Sequence, residues 1–215
     1  MKQLVIIGAG GCGRELYFLA KESLGYGDDF IIKGFIDDNI NALDGFEGYL
    51  PVLGTVNGYN PEPDDVFACG VGNVIPKKIC VDKILSRGGV FISIIHKTAT
   101  VRENSTLGIG CVICDGVFIS CDVRIGDFVT IQRMSNFGHD VKIGSFCQFN
   151  SNSYMGGGAE AGNMVTVHTG AIITPGRIVA DNCTVNAASV VIRNVKEGQT
   201  VFGSPAQPLF VPVKK

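Results

Sequence analysis

The sequence predicts two folds in succession: an α/β domain of the Rossmann-like βαβ type, followed by an all-β left-handed parallel β-helix. Strands alternate with helices in the first part, and a six-residue apolar repeat replaces that pattern from about Thr98. Gly is abundant, with 29 residues, and only 18% of residues are charged, as in β-rich folds with tight corners. We expect one domain over residues 1–96 and a second over 97–215.

The charge and the cysteines narrow the classes of function. A net charge of −2 does not favour a nucleic-acid partner. The first residues lack the pattern of a signal peptide, and no apolar segment reaches the roughly 18 residues of a membrane span. We therefore expect a cytoplasmic protein without membrane insertion, whose eight cysteines are reduced thiols.

The first domain is predicted from alternating short strands and amphipathic helices. Leu16, Leu19 and Ala20 share one side of the first helix, and Gly88-Gly89 ends the second, which has Pro76 in its first turn. The predicted strands cover residues 2–7, 30–36, 66–69 and 90–95, and the predicted helices cover residues 13–24 and 76–87, with a long loop over 39–64. This order is typical of a small parallel sheet.

A glycine motif lies between the first strand and the first helix. Gly8-Ala9-Gly10-Gly11-Cys12-Gly13 is a formal G-x-G-x-x-G, and Asp37 and Asp38 follow the next strand. Glycines allow a phosphate to approach the backbone at a helix N-terminus, and the acidic pair can bond a sugar or base. A domain of fewer than 100 residues has little room for a full dinucleotide, so a nucleotide is favoured over NAD as the ligand of this turn. A turn with a purely structural role is the other interpretation.

The second domain is predicted from an unbroken repeat. Every sixth residue from Val101 to Val191 is apolar, and the residue four places after each one is small, except for Arg177. Three six-residue units close one triangular coil of 18 residues, in which both sets point inward. Cys111, Cys147 and Cys183 then share one face as core residues, and we expect Gly108, Gly126, Gly144 and Gly162 to form sharp corners.

Three histidines are candidates for chemistry. His139 precedes Asp140 and lies near a corner, where it is either a general base with a carboxylate beside it or a surface histidine with an acidic neighbour. His96 is interpreted as a structural cap where the chain enters the coil, and His168 as an outward residue. No metal site is expected, because His139 differs in coil phase from the other two.

Several motifs together resemble a known family, the bacterial sugar-nucleotide acetyltransferases of the sialic-acid and bacillosamine type within the hexapeptide-repeat acyltransferases. The resemblance covers nearly the whole chain. It is carried by the glycine turn, Phe35-Ile36-Asp37-Asp38, Gly72-Asn73, Ile95-His96-Lys97-Thr98-Ala99, His139-Asp140 followed by Ile143-Gly144, and Phe202-Gly203-Ser204-Pro205-Ala206.

The resemblance implies a homotrimer that transfers acetyl from acetyl-CoA to an amine of a nucleotide-linked sugar, usually a 4-amino-4,6-dideoxy sugar, at sites between subunits. It implies His139 as general base, Asp140 as its support and the Gly157 N–H as oxyanion donor. The residues implied for the nucleotide sugar are Gly10, Gly11, Cys12, Asp37, Asp38, Gly72 and Asn73, and those implied for CoA are Gln148, Thr169, Ala187 and Pro205.

Two positions depart from the family pattern. Many relatives have histidine at the places of Cys12 and Gln148, which affects contacts to the acceptor but leaves the base in place. Two other functions stay open. An O-acetyltransferase acting on a sugar hydroxyl such as sialic acid would use the same base, and a non-catalytic hexapeptide scaffold would need neither His139-Asp140 nor the glycine turn.

Overall fold

A computed structural model describes residues 1–209 and contains two helices and 23 strands. Residues 210–215, the last part of the predicted second domain, lie outside the described residues. The first part of the chain forms a four-stranded parallel sheet, sheet A, with strand order β2-β1-β3-β4. Its elements are β1 Lys2–Ile7, α1 Gly11–Lys21, β2 Phe30–Ile36, β3 Asp65–Cys69, α2 Val74–Leu85 and β4 Val90–Phe91.

Both helices begin earlier than the sequence predicted. Helix α2 starts at Val74 because the Asn73 side chain accepts a hydrogen bond from the Ile75 N–H and caps the helix, which places Pro76 inside the first turn. Helix α1 starts at Gly11, directly after the glycine turn. Gly13 is required there, because any Cβ on it would collide with the Gly8 carbonyl oxygen.

The fourth predicted strand, 90–95, is divided between two sheets. Val90–Phe91 closes sheet A, whereas Ile94–Ile95, strand β5, pairs with a strand of the repeat region. The sheets of the β-helix therefore begin at Ile94, three residues before the predicted start of the second domain at residue 97, and that boundary stays a prediction.

The repeat forms the predicted left-handed β-helix, with three sheets whose repeat strands pair in parallel. Sixteen two-residue strands, β6 to β21, each end at one of the apolar positions that repeat every six residues, and paired strands differ by 18 residues, as Ile125 and Ile143 do. The strands are 100–101, 106–107, 112–113, 118–119, 124–125, 130–131, 136–137, 142–143, 148–149, 154–155, 160–161, 166–167, 172–173, 178–179, 184–185 and 190–191, followed by β22 Thr200–Phe202 and β23 Gln207–Pro208.

The three faces are named here by their strands. Sheet B has eight strands and includes β11 (Thr130–Ile131) and β14 (Gln148–Phe149). Sheet C has six, including β12 (Asn136–Phe137), and sheet D has five, including β13 (Lys142–Ile143). The apolar residues from Ile113 to Val191 are buried and form one continuous core along the axis.

The corners follow a rule that the sequence analysis missed. Every sixth residue from Gly110 to Ala188 has a positive φ, and nine of these residues are not glycine. The glycines expected at the corners, Gly108, Gly126, Gly144 and Gly162, do lie there, each directly before a turn, but the positive φ belongs to the residue two places later. They are small for another reason: a Cβ on Gly126 would lie 2.9 Å from the backbone carbon of Gly144 in the next coil.

The first domain packs against sheet B and against the corner between sheets D and B. Phe91 contacts Phe128 edge to face at 5.1 Å, and Phe128 stacks on Phe146 at 4.9 Å. His96 is buried at the junction, with Nε2 3.1 Å from a Glu22 carboxylate oxygen, in agreement with its interpretation as a structural residue. Within residues 1–209, neither helix is long and apolar enough to cross a membrane.

Candidate active site

The glycine turn and the acidic pair meet at the carboxyl edge of sheet A. Asp37 follows β2, which pairs with β1, and its Oδ2 accepts a hydrogen bond of 2.7 Å from the Ala9 N–H inside the turn. Asp38 is directed elsewhere, because its Oδ1 accepts from the Val56 N–H at 3.0 Å. Asp37 is therefore the carboxylate that lies at the turn, and Asp38 holds the following loop.

The other predicted sugar-binding residues join the same edge. Gly72 follows β3 and lies beside Cys12, since a Cβ on Gly72 would come 3.0 Å from the Cys12 sulfur. Gly10 and Gly11 have open space above them. Six of the seven predicted residues therefore gather at the glycine turn and the start of α2, whereas the Asp38 carboxylate is bonded to the following loop; the six are Gly10, Gly11, Cys12, Asp37, Gly72 and Asn73.

A cavity of about 680 Å³ separates this edge from sheet B. Cys12, Gly72 and Asn73 form its first-domain side, and Gln148 and Thr169 belong to its β-helix side. None of its lining side chains is Asp, Glu, Lys or Arg; the remaining ones are Val74, Ile75, Gln132, Asn150, Met164, Thr166, His168, Asn182 and Thr184. The cavity therefore suits an uncharged, hydrogen-bonding part of a ligand.

Lys77 is a functional candidate that the sequence analysis missed. It is fully buried on α2, and its Nζ donates to Thr130 Oγ1 at 2.8 Å and to Gln148 Oε1 at 3.2 Å. Burial lowers the pKa of its ammonium group. The signal was present in the sequence, because the spacing of Lys77, Val81 and Ile84 puts the lysine on the apolar face of the helix.

His139 lies on the corner between sheets C and D. Its Nδ1 is 2.7 Å from Asp140 Oδ2, and both side chains are exposed. The carboxylate accepts the Nδ1–H, which leaves Nε2 with its lone pair available as a base. Asp140 has a φ of 60°, a left-handed conformation that Asp tolerates better than most residues, and this corner turns its carboxylate toward the histidine.

Gly157 lies one coil beyond His139 on the same corner. On the corner between sheets D and B, Ile109 and Ser145 occupy the same place in the turn as Gly157 does on its own corner. The backbone N–H of each donates to a side chain 18 residues later, Ile109 to Asp127 Oδ1 and Ser145 to Asn163 Oδ1. Within the described chain, the Gly157 N–H has no such partner, because Pro175 occupies the place of the accepting side chain. This N–H is therefore available to a developing oxyanion.

The chain does not bring the two groups of residues together. The glycine turn faces sheet B, whereas His139, Asp140 and Gly157 lie on the corner between the other two sheets. Thr169 and Ala187 are exposed, one coil apart, on the corner between sheets B and C. Pro205 is exposed near the C-terminal end of the described chain.

The remaining candidates have structural places. His168 lines the cavity, and its Nδ1 lies 3.1 Å from Asn150 Nδ2. Cys111, Cys147 and Cys183 are buried core residues, as predicted from their spacing. Burial raises the pKa of the Cys111 thiol to about 11 and that of Cys147 to about 12. Among residues 1–209, no group of three or more His, Cys, Asp or Glu side chains is arranged to hold a metal ion.

Known proteins share both domains. Residues 3–84 match the family described as the PglD N-terminal domain. The acetyltransferase domain of PglB from Neisseria gonorrhoeae is 27% identical, with a TM-score of 0.86 over 97% of this chain and 100% of that one. The resemblance predicted from the sequence is confirmed. In its first domain and its overall fold, the chain is similar to the bacterial sugar-nucleotide acetyltransferases of the hexapeptide-repeat superfamily.

Two further comparisons support the same architecture. The PglB domain has also been solved in complex with acetyl coenzyme A, and that structure is 28% identical, with a TM-score of 0.85 and coverage of 97% and 99%. PerB from Caulobacter crescentus, solved with CoA and GDP-perosamine, has a TM-score of 0.87 at 24% identity, with 98% of each chain covered. No curated protein sequence is significantly similar to the chain.

Proposed function

We propose that the chain is an acetyl-CoA-dependent N-acetyltransferase acting on the amine of a nucleotide-linked amino sugar. The observation that carries the proposal is the likeness over 97% of this chain to the PglB acetyltransferase domain, which has been solved with acetyl coenzyme A. The expected acceptor is a 4-amino-4,6-dideoxy sugar. The glycine turn and Asp37 at the edge of sheet A support a nucleotide at this end of the acceptor.

In this proposal, His139 is the general base. Its Nδ1–H is held by Asp140 at 2.7 Å, so Nε2 accepts a proton from the amine as the nitrogen attacks the acetyl carbonyl. The new C–N bond forms as the carbonyl electrons move to oxygen, which the Gly157 N–H stabilises. The C–S bond then breaks, and the imidazolium returns its proton to the departing CoA thiolate. No covalent acyl-enzyme is needed.

CoA is expected to follow the corner between sheets B and C. Thr169 and Ala187 are exposed one coil apart there, so an extended pantetheine arm can run parallel to the axis past small side chains. Pro205 would lie toward the adenine end. Gln148 is buried, and its side chain is already bonded to Lys77 and Asn150, which favours an indirect contribution to the site.

The separation of the two groups of residues supports a homotrimer. Because His139 and the glycine turn lie on different sides of one chain, the base of one subunit can meet the sugar held by its neighbour only in an assembly. Each active site is therefore proposed to lie between two subunits.

The proposal is tested by the release of free CoA from acetyl-CoA across a panel of nucleotide 4-amino sugars and of sugars with only hydroxyl groups. Release with amino sugars alone is expected, and release with hydroxyl sugars alone would identify an O-acetyltransferase instead. His139→Ala should lower kcat by roughly 10²- to 10⁴-fold while the melting temperature stays unchanged. Near-normal turnover by this variant would contradict His139 as the base.

A further inference from the structure

Four side chains form a continuous row of hydrogen bonds from the buried Lys77 to the cavity. Lys77 Nζ donates to Gln148 Oε1 at 3.2 Å, and Gln148 Nε2 donates to Asn150 Oδ1 at 3.0 Å. Asn150 Nδ2 then lies 3.1 Å from His168 Nδ1. His168 is the last member of the row and the only one whose ring can change which nitrogen carries the proton.

The lysine fixes the direction of every bond in this row. Nζ of Lys77 donates to Gln148 Oε1, so the Gln148 atom that faces the lysine is the carbonyl oxygen. The amide nitrogen of Gln148 must then face Asn150, which turns the Asn150 oxygen inward and its nitrogen toward His168. A ring nitrogen that receives an N–H donor is an acceptor. Nδ1 of His168 is therefore unprotonated, and Nε2 carries the hydrogen.

The Nε2–H group has a place to act. His168 lines the cavity of about 680 Å³ between sheet B and the glycine turn, and within residues 1–209 its Nε2 has no hydrogen-bond partner. No charged side chain lines that cavity. A ring held in one tautomer thus presents a fixed Nε2–H donor on the β-helix side of the cavity.

We infer that His168 is a ligand-binding residue, which donates Nε2–H to an uncharged acceptor oxygen of the bound ligand, and that Lys77, Gln148 and Asn150 are positioning residues that set its tautomer. The oxygen belongs either to the amino sugar or to the amide-containing arm of acetyl-CoA, a choice that rests on the proposed function. The inference gives Gln148 and Lys77 a role in the site without direct contact to either substrate.

The tautomer can be measured without turnover. The chain has three histidines, so protein labelled with ¹⁵N-histidine gives three sets of long-range ¹H–¹⁵N correlations, and loss of one set in His168→Asn assigns the ring. The pattern of an Nε2–H tautomer is expected. An Nδ1–H tautomer in the wild-type protein would overturn the inference.

Two substitutions should reverse the direction of the hydrogen bond between residue 150 and His168, and with it the His168 tautomer. In Asn150→Asp both side-chain oxygens accept, one from Gln148 and one from His168, so Nδ1 must become the protonated nitrogen. In Gln148→Glu both carboxylate oxygens also accept, so the Asn150 amide must turn its nitrogen toward residue 148. Its oxygen then faces His168 and again requires a hydrogen on Nδ1. Gln132→Glu is the matched control, because it adds the same charge to the cavity wall outside the row. An unchanged tautomer in Asn150→Asp would contradict the inference.

Binding and kinetics identify the ligand oxygen. His168→Gln retains an N–H near the position of Nε2, whereas the shorter amide of His168→Asn reaches only the position of Nδ1. His168→Asn should weaken binding of acetyl-CoA alone or raise the KM for the nucleotide sugar roughly tenfold, and His168→Gln should restore most of that loss. The ligand whose value changes is the one that His168 contacts.

The NMR, binding and kinetic measurements distinguish a failure of the inference from a failure of the proposed function. Unchanged values for both ligands in His168→Asn would overturn the donor role, whatever the tautomer. If no acetyl transfer occurs with any sugar, the proposed function fails, while the NMR measurement and the binding of acetyl-CoA alone still decide the inference.

Discussion

The imidazole of His139 lies over the Cα of Gly157, one coil along the β-helix axis. A methyl group on that carbon would lie 2.5 Å from Nε2 of the histidine. The absence of a side chain at residue 157 therefore determines where the base rests, and the same residue offers its unpartnered N–H beside the base.

Gly157→Ala should reduce kcat by at least roughly tenfold with little loss of stability. Residue 157 does not have a positive φ, so alanine fits its backbone, and the only side chain that must move is the exposed His139 ring. The measurements are steady-state kinetics and thermal unfolding. Gly158→Ala is the matched control: its φ of 67° strains an alanine, but its Cβ meets nothing within 4 Å. We expect this control to cost roughly 1 kcal/mol of stability and to retain activity.

Asp140→Asn should lower kcat roughly tenfold without changing the KM for acetyl-CoA. Asparagine accepts the left-handed corner and can still accept the His139 Nδ1–H, but it no longer provides a negative charge to stabilise the imidazolium. Asp122→Asn is the control, because Asp122 occupies the same corner one coil earlier with a φ of 59°. Equal activity of the two variants would argue against a supporting role for Asp140.

Co-expression of two inactive variants tests whether each site lies between subunits. His139→Ala removes the base, and Gly11→Phe blocks the start of α1, where residue 11 has open space above it. If every site combines residue 139 of one subunit with the first domain of another, random mixing should restore about one quarter of the wild-type activity. Sites built within one chain would give no recovery, since every chain carries one defect.

Asp65 should make the first domain sensitive to acid. Its buried position would by itself raise its pKa, but hydrogen bonds from Lys33 at 2.8 Å and Tyr59 at 2.7 Å lower that pKa below the ordinary value. The resulting stability is full above the unfolded pKa of about 3.9 and is lost as the pH falls below it.

Asp65→Asn should therefore cost roughly 2 kcal/mol at neutral pH, and its difference from the wild type should shrink below pH ~4. Denaturant unfolding across the pH range measures this difference. Asp64→Asn serves as control, because Asp64 is 72% exposed and lies 3.6 Å from an exposed Lys2. A constant gap between wild type and Asp65→Asn down to the lowest pH would contradict the assignment.

Thiol labelling should divide the cysteines by burial. Burial raises the pKa of the Cys69 thiol to about 11 and that of Cys147 to about 12, so these thiols are both inaccessible and protonated at neutral pH. With Ellman's reagent, the exposed Cys12 and Cys121 are expected to react quickly in the native protein, and all eight cysteines after denaturation. Rapid native reaction of Cys147 would show that the core of the β-helix opens.

The β-helix was predictable because its inward residues repeat without interruption. One side chain in six must fill each face of the core, so the apolar set fixed the strand positions to the residue. The corners were not predictable in the same way. Phe128 and Met134 have positive φ values, which bulky side chains disfavour, so their residue types do not predict this conformation. The stacking of the coils imposes a positive φ on whichever residue occupies that place in the corner.

The site was predictable only in parts. Local patterns identified the glycine turn and the His139-Asp140 pair, since each depends on residues close in sequence. The sequence did not indicate that the first domain packs on sheet B, because Phe91, Phe128 and Phe146 belong to no repeat of their own. The row from Lys77 to His168 spans 91 residues and depends on that packing, so no local pattern reveals it.

The regular stacking of the coils also means that the length of the β-helix changes only in whole coils. Each coil uses 18 residues and adds one strand spacing of about 4.8 Å to every face. Insertion or deletion of one whole coil between Gly157 and Pro205 would preserve every inward ladder while shifting the chain end by that single step. The length available to a linear ligand along the corner is therefore set in fixed increments, independently of the chemistry at His139.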